Sequence, residues 1–176
     1  GSVLTDDHFV YTSGKHGSVY INKDALYTHP VQTSFVGKMF AQKFRSTDID
    51  VVAAPALGGI ILSQWTAYHL SQLKKKDILG VYTEKTPEKN QIFKRGYDML
   101  VRGKKVLVIE DLTTTGGSVK KVVESVRQAG GTVVAVCVMV NRDPKAVCSE
   151  SVGAPFYSLG VLTADAVDPD DCLLCK

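Results

Sequence analysis

Residues 106–118, with the sequence VLVIEDLTTTGGS, constrain the fold of this chain more than any other segment. A run of consecutive apolar residues is typical of a strand that is covered on both faces, as in parallel sheets. Glu110 and Asp111 follow this run, and a loop of Thr, Gly and Ser then leads into a stretch with helical spacing. Because ligands bind at the carboxyl ends of parallel strands, the segment also predicts a binding site.

Other apolar runs alternate with helix-length amphipathic segments, which predicts an α/β fold with a central, mainly parallel, five-stranded sheet flanked by helices. The predicted strands are residues 50–54, 79–83, 105–110, 132–140 and 156–159. The predicted helices are residues 31–44, 59–73 and 117–129. A chain of 176 residues is expected to form one domain, residues 1–176.

Three segments lack a clean hydrophobic period. Residues 1–30 are rich in aromatic side chains and differ in character from the rest. Residues 87–95 are polar and are interpreted as a loop or a short hairpin. Residues 165–176 are acidic and then contain two cysteines, and we expect an irregular tail there.

The loop after the two acids has the chemistry of a phosphate site. Backbone N–H groups of residues 113–118 and the start of a helix near Gly117 can converge on an anion. Gly116 and Gly117 let the backbone approach closely. Since carboxylates repel phosphate, we expect Glu110 and Asp111 to accept hydrogen bonds from the cis-diol of a ribose. The alternative is a capped turn with surface acids. The pattern matches neither GxxxxGK[ST] nor GxGxxG.

Residues 106–118 resemble the phosphoribosyl pyrophosphate (PRPP) motif of type I phosphoribosyltransferases, and the likeness extends over most of the chain. The resemblance implies that fold and a PRPP site made of Glu110, Asp111, Leu112, Thr113, Thr114, Thr115, Gly116, Gly117 and Ser118. Residues 52–59, VAAPALGG, resemble the pyrophosphate loop of the family, which implies contacts from Ala56, Leu57 and Gly58. Lys85 matches a lysine that binds pyrophosphate oxygens, and it joins Glu110 and Asp111 as a catalytic candidate.

Residues 9–27 are similar to the start of orotate phosphoribosyltransferases, where this region forms a hood over the base. The resemblance implies base contacts from Tyr20, Ile21, Asn22, Thr114 and Arg142. A planar guanidinium at position 142 suits a carboxylate or ring oxygen of orotate, which it can bind in bidentate fashion.

The chain also departs from that family. Its members follow the pyrophosphate lysine with a loop close to K-x-H-G, whereas residues 86–97 read TPEKNQIFKRGY and contain no histidine. The positive charge of that family loop is supplied here by Lys89, Lys94 and Arg95, which match its usual residues in charge but not in sequence pattern. Thr12 stands where the family has a lysine. A purine-type enzyme for adenine, xanthine or hypoxanthine, and a non-catalytic PRPP-sensing regulator, therefore stay open as alternatives.

The resemblance implies a Mg²⁺-dependent transfer of the phosphoribosyl group to orotate, giving orotidine 5-monophosphate, by a homodimer that shares its active sites. Nucleic acid is not an expected partner, because the net charge is only +3 and the basic residues are dispersed except at Lys74, Lys75 and Lys76. No apolar run approaches the ~20 residues that span a bilayer, and no signal peptide is visible. Four cysteines do not form a disulfide framework, so we expect a reducing cytoplasm.

The sequence ends with Cys172-Leu-Leu-Cys175, whose CxxC spacing suggests half of a zinc site or a redox pair. Only one CxxC is present, so a complete zinc site requires Cys148 and another ligand, or a second subunit. An incidental or structural tail is the favoured interpretation, and the sequence assigns no metal ligand.

Overall fold

The computed structural model describes residues 3–5, 7–11, 14–163 and 167–175. The N-terminal part contains β1 (Val3–Leu4), β2 (Phe9–Val10), β3 (His16–Gly17), β4 (Tyr20–Ile21), α1 (Lys23–Tyr27) and α2 (Pro30–Lys43). The remainder contains β5 (Val51–Pro55), α3 (Gly58–Lys74), β6 (Leu79–Lys85), β7 (Gln91–Phe93), α4 (Tyr97–Val101), β8 (Lys105–Thr113), α5 (Gly117–Gln128), β9 (Thr132–Asn141), α6 (Ser149–Val152), β10 (Phe156–Val161) and a 3₁₀ turn (Pro169–Asp171).

The central sheet has the strand order β10-β9-β8-β5-β6-β7. All neighbours are parallel except β6 and β7, which pair antiparallel with Lys85 opposite Gln91. The α/β prediction is confirmed, and each predicted strand and helix ends within three residues of its predicted bounds. The predicted count of five strands is wrong by one. The sixth strand is the return arm of the hairpin that was an alternative for residues 87–95.

The sheet is covered on both faces, which explains its consecutive apolar residues. Along β8, Val106 and Val108 pack with the valines of α5, whereas Leu107 and Ile109 pack with residues of α2 and α3. All four of these β8 side chains are fully buried. The valines of α5 recur at helical spacing and are Val119, Val122, Val123 and Val126. The strand that carries the two acids is thus held at the centre of the protein.

The N-terminal strands lie outside the central sheet. β1 pairs with β4, and β2 pairs with β3, each in a two-stranded antiparallel ladder. His16 of β3 also forms an isolated bridge with Val167, with both N–H···O distances at 2.9 Å. This bridge joins the start of the chain to its tail. In the described part of the chain, no helix combines the length and apolarity needed to cross a bilayer.

Candidate active site

Asp111 lies at the carboxyl end of β8, and only 2% of its surface is exposed. Its Oδ2 lies 3.0 Å from Nζ of Lys23 and accepts a hydrogen bond from the Tyr27 hydroxyl at 2.8 Å. Its Oδ1 accepts the Leu112 N–H at 2.6 Å. The carboxylate is therefore held on three sides, and its position is fixed before any ligand arrives.

Glu110 is buried beside Asp111, and its Oε1 accepts the Asp111 N–H at 2.9 Å. Burial raises the pKa of Glu110 well above its usual range, and the charge of Asp111 raises it further. Lys23 contacts Asp111 directly and lowers the pKa of Glu110 only partly. The two adjacent acids therefore differ: Asp111 is paired with a cation, while Glu110 holds a proton more readily.

Lys23 and Tyr27 belong to α1 and were not predicted as site residues. Burial lowers the pKa of Lys23, but the charge and hydrogen bond of Asp111 outweigh this effect, so the pKa is raised. Burial, followed by the same carboxylate, raises the pKa of Tyr27. Both residues lie within residues 9–27. The resemblance of that segment to the hood of orotate phosphoribosyltransferases was the sequence signal that could have identified them. Asp111 thus ties the N-terminal segment to the central sheet.

The loop after β8 is closed by its own hydroxyl groups. Gly116 N–H donates to Thr113 Oγ1 at 2.9 Å, and Gly117 N–H donates to Thr115 Oγ1 at 3.4 Å. Gly116 has a φ of 73°, a conformation that glycine adopts without steric cost. These two N–H groups were predicted phosphate donors, but here they bond within the loop.

The same loop exposes Thr114, Thr115 and Ser118 at the start of α5. This helix has 12 residues, and its N-terminus carries a positive partial charge. The predicted phosphate site therefore keeps exposed hydroxyl donors and a helix N-terminus.

A second loop follows β5 and adjoins the first. A Cβ atom placed on Gly58 would lie 2.3 Å from Asp111 Oδ2 and 2.8 Å from the Tyr27 hydroxyl. Only glycine fits this close approach. The peptide between Ala56 and Leu57 is cis. The loop opens onto a cleft of about 560 Å³, whose walls are Ala56, Leu57, Ile60, Tyr82, Glu84, Lys85 and Arg95. The structure thus brings the predicted pyrophosphate residues together with Lys85 and Arg95.

The cations after Lys85 are placed by the β6–β7 hairpin. Lys94 Nζ lies 3.1 Å from Glu84 Oε2, and Arg95 Nε lies 3.1 Å from Glu84 Oε1. Lys89 is exposed in the hairpin turn, with a φ of 62°. Two of the three predicted loop cations are therefore paired with one carboxylate at the edge of the cleft, and Lys89 lies apart from them.

Arg142 follows β9 next to the Thr/Gly loop, because its N–H donates to the Thr113 carbonyl at 2.9 Å. Its guanidinium carbon lies 5.2 Å from the ring centroid of Tyr11, in a cation–π arrangement. Its Nε is buried, and no described residue accepts a hydrogen bond from it. An unpaired buried donor costs stability, so Arg142 has the property expected of a residue whose partner is a ligand.

The other predicted base contacts have internal partners. Tyr20 stacks on Phe9 with ring centroids 5.4 Å apart. Ile21 is buried, and the Asn22 side chain accepts the Ala25 N–H at 3.1 Å and thereby caps α1. Their contact with a base stays a prediction.

The sequence of this chain is similar to those of known proteins. A family model described as a phosphoribosyl transferase domain matches residues 22–151. The chain is 37% identical over 174 residues to the orotate phosphoribosyltransferase of Thermotoga petrophila, covering 98% of this chain and 87% of that protein. It is 34% identical to that of Caldanaerobacter subterraneus subsp. tengcongensis, covering 99% and 86%.

A solved structure shares the fold. Mycobacterium tuberculosis orotate phosphoribosyltransferase, crystallised with Fe(III) dicitrate, superimposes with a TM-score of 0.72 at 24% identity, covering 92% of this chain and 90% of that one. The family match over most of the chain and the two relatives above 30% identity lead to one conclusion. This chain belongs to the phosphoribosyltransferase family.

Proposed function

We propose that this chain is an orotate phosphoribosyltransferase, which transfers the phosphoribosyl group of PRPP to orotate and releases pyrophosphate. The observation that carries the proposal is the buried pair Glu110 and Asp111 at the end of β8, between two loops suited to anions. The names of the relatives support orotate as the base. No observation favours a purine base or a regulatory role.

Asp111 and Glu110 orient the ribose by accepting hydrogen bonds from its 2- and 3-hydroxyls. The hydroxyls of Thr114, Thr115 and Ser118 and the N-terminus of α5 bind the 5-phosphate. Lys85 and Arg95 face the same cleft as the loop at Gly58 and receive the pyrophosphate. Their positive charge stabilises the negative charge that grows as the bond from C1 to the pyrophosphate oxygen breaks.

Arg142 binds the base. Its Nε lacks a partner among the described residues, and its backbone is fixed beside the phosphate loop. A guanidinium there can pair with the carboxylate of orotate and turn a ring nitrogen towards C1. That nitrogen loses its ring proton, which the departing pyrophosphate can accept, and it bonds to C1 as the bond from C1 to the pyrophosphate oxygen breaks. No protein nucleophile takes part, so the contribution of these residues is positioning and electrostatic stabilisation.

The family resemblance implies Mg²⁺, and the donors fit a hard cation. Glu110 and Asp111 offer carboxylate oxygens at the ribose end of the site, and PRPP itself brings phosphate and hydroxyl oxygens. When bound, Mg²⁺ would neutralise charge on the pyrophosphate. Asp111 is already paired with Lys23, and Glu110 holds its proton more readily, so PRPP would supply most of the ligands.

We also propose a homodimer. The face of α2 exposes Val31, Phe35 and Met39, with 84%, 62% and 41% of their surfaces accessible. Exposed apolar side chains on one helix face suit a subunit interface. Light scattering coupled to gel filtration measures the mass, and a monomer at all concentrations would contradict this part of the proposal.

A base panel tests the activity. The protein is incubated with PRPP, Mg²⁺ and either orotate, adenine, xanthine or hypoxanthine, and nucleotide formation is followed by chromatography. We expect turnover with orotate only. Turnover with a purine base instead would refute the proposed substrate.

A double variant, Glu110→Gln with Asp111→Asn, tests the ribose contact. We expect the KM for PRPP to rise, since both neutral side chains are weaker acceptors for the diol. An unchanged KM for PRPP would show that these acids do not bind the ribose.

A further inference from the structure

Four potential metal ligands meet at a place remote from the Glu110–Asp111 pair. His8 lies just before β2, and His16 lies in β3. Cys172 and Cys175 follow the 3₁₀ turn at Pro169–Asp171. One ligand atom from each of these residues lies within 4.8 Å of every other. His8 and Cys172 are 164 residues apart in the chain, so only the fold brings them together.

Four of the six separations between the ligand atoms lie within about 0.5 Å of the edges of a tetrahedral zinc site, and the other two are below 4.8 Å. His8 Nε2 and His16 Nδ1 are 3.0 Å apart, and His16 Nδ1 and Cys175 Sγ are 3.1 Å apart. His8 Nε2 lies 3.6 Å from Cys172 Sγ and 3.5 Å from Cys175 Sγ. With Zn–N of ~2.0 Å and Zn–S of ~2.3 Å, the edges of a tetrahedral site are ~3.3 Å for N–N and ~3.6 Å for N–S.

The chemistry of the four groups also favours a zinc site. Two imidazoles and two thiols form a complete Cys₂His₂ donor set, the composition of a closed structural zinc site. Both cysteines are free thiols, so no disulfide competes for the sulfur atoms. Hydrogen bonds alone are a poor reason for such convergence, because thiols are weak donors and acceptors.

The segments that carry these ligands contain only short regular elements among their described residues. β2 and β3 have two residues each, and the regular structure described in the tail is a three-residue 3₁₀ turn. The bridge between His16 and Val167 sets the two segments side by side. Short elements with a small core are commonly stabilised by a metal that crosslinks them.

We propose that His8, His16, Cys172 and Cys175 bind one structural Zn²⁺ ion that fastens the β2–β3 ladder to the tail. Coordination is through His8 Nε2, His16 Nδ1 and the two thiolates. Tyr11, one residue after β2, lies over Arg142. The ion therefore supports the segment that covers Arg142 without touching the ribose or the pyrophosphate loop.

This assignment corrects the ligand set considered from the sequence. Cys148 is not a member of the cluster; it is the N-cap residue of α6, where its N–H donates to Ser151 Oγ at 3.0 Å. The missing ligands come from the other end of the same chain. No second subunit is required.

The test is metal content. The full chain is purified under reducing conditions without chelator, and zinc per chain is measured by elemental analysis. We expect about one equivalent. The variant Cys172→Ser with Cys175→Ser should lose it. The matched control, Cys148→Ser with His29→Ala, changes one cysteine and one histidine outside the cluster and should retain it.

Substitution with Co²⁺ identifies the ligands. The wild type should show thiolate-to-cobalt charge transfer and the intense d–d bands of tetrahedral geometry. If the double cysteine variant does not fold, His8→Ala keeps three ligands and should still bind Co²⁺ with an altered d–d spectrum. A strong chelator should lower the melting temperature of the wild type, and of the control variant by the same amount.

Less than a tenth of an equivalent of metal after reconstitution with Zn²⁺ would overturn the proposal, and so would equal metal binding by the double cysteine variant. A cobalt spectrum without thiolate bands would do the same. These readouts do not depend on turnover of PRPP, so failure of the proposed activity would leave them unaffected.

Discussion

Lys23 Nζ and Asp111 Oδ2 lie 3.0 Å apart, although 88 residues separate the two side chains in the chain. Asp111 is almost fully buried, whereas 39% of the Lys23 side chain is exposed. The first helix therefore supplies the charge that makes a buried carboxylate tolerable at the end of β8.

Replacement of Lys23 by Gln should destabilise the protein. A buried carboxylate that loses its cation costs about 3–5 kcal/mol in a dry site, and the exposure of Lys23 reduces this to about 1 kcal/mol. Urea unfolding at neutral pH measures the loss. Lys105→Gln is the matched control, because Lys105 pairs with Asp48 at 2.7 Å on the surface and should change stability little. Equal effects would contradict a special role for Lys23.

Gly58→Ala should impair PRPP binding. The added methyl group would lie 2.3 Å from Asp111 Oδ2, so the carboxylate or the loop has to shift. A displacement of this size near reacting groups costs about tenfold or more in kcat/KM. Steady-state kinetics with varied PRPP measure it. Gly160→Ala, whose Cβ would meet Met139 O at 3.8 Å in ordinary van der Waals contact, serves as the control and should behave as wild type.

Glu110→Gln should change how stability depends on pH. Burial, together with Asp111, raises the pKa of Glu110 in the folded protein, so the folded state holds this proton more tightly than the unfolded state. Stability contributed by the protonated form is complete below the unfolded pKa of about 4.3. It is lost as pH rises from there through the folded pKa.

The Gln variant lacks this loss, because its side chain does not ionise. We therefore expect it to gain stability relative to wild type as pH increases from 5 to 8, while its KM for PRPP rises. Melting temperatures across this interval measure the difference. A constant difference between the two proteins at all pH values would show that Glu110 is not perturbed.

Arg142→Lys should affect the KM for orotate and the KM for PRPP differently. Lysine keeps the charge but lacks the planar fork of donors, so the KM for orotate should rise about tenfold or more while the KM for PRPP stays near its wild-type value. Kinetics with each substrate varied in turn provide the measurement. If both constants rose together, Arg142 would be supporting the phosphate loop through Thr113 and not the base.

The sequence was sufficient for the parts of the fold that follow from local patterns. Consecutive apolar residues predicted the parallel strands, and the valine spacing predicted α5. β7 was ambiguous because it has three residues and only Gln91 is buried, which gives no hydrophobic alternation. Its pairing depends on a contact with β6, including Thr83 Oγ1 to Gln91 Oε1 at 2.8 Å.

The residues of the site likewise fall into those that the sequence predicts and those that it does not. Glu110, Asp111 and the loop after them are contiguous, so their sequence pattern identified them together. The partners of Asp111 on α1, and the two histidines that join the cysteine tail, are distant along the chain. No spacing rule reveals such contacts, because they depend on how the N-terminal segment lies against the sheet. Resemblance located that segment but not its individual contacts.

The strand order β8-β5-β6 has a consequence for how such a protein can diversify. From β5 the chain proceeds to β6 on one side, and from β8 it proceeds to β9 on the other, so the connections separate at this point and leave a crevice. The crevice belongs to the topology and not to any side chain. We therefore expect changes at position 142 or in the first 22 residues to alter which acceptor is chosen, while the sugar phosphate keeps the same location.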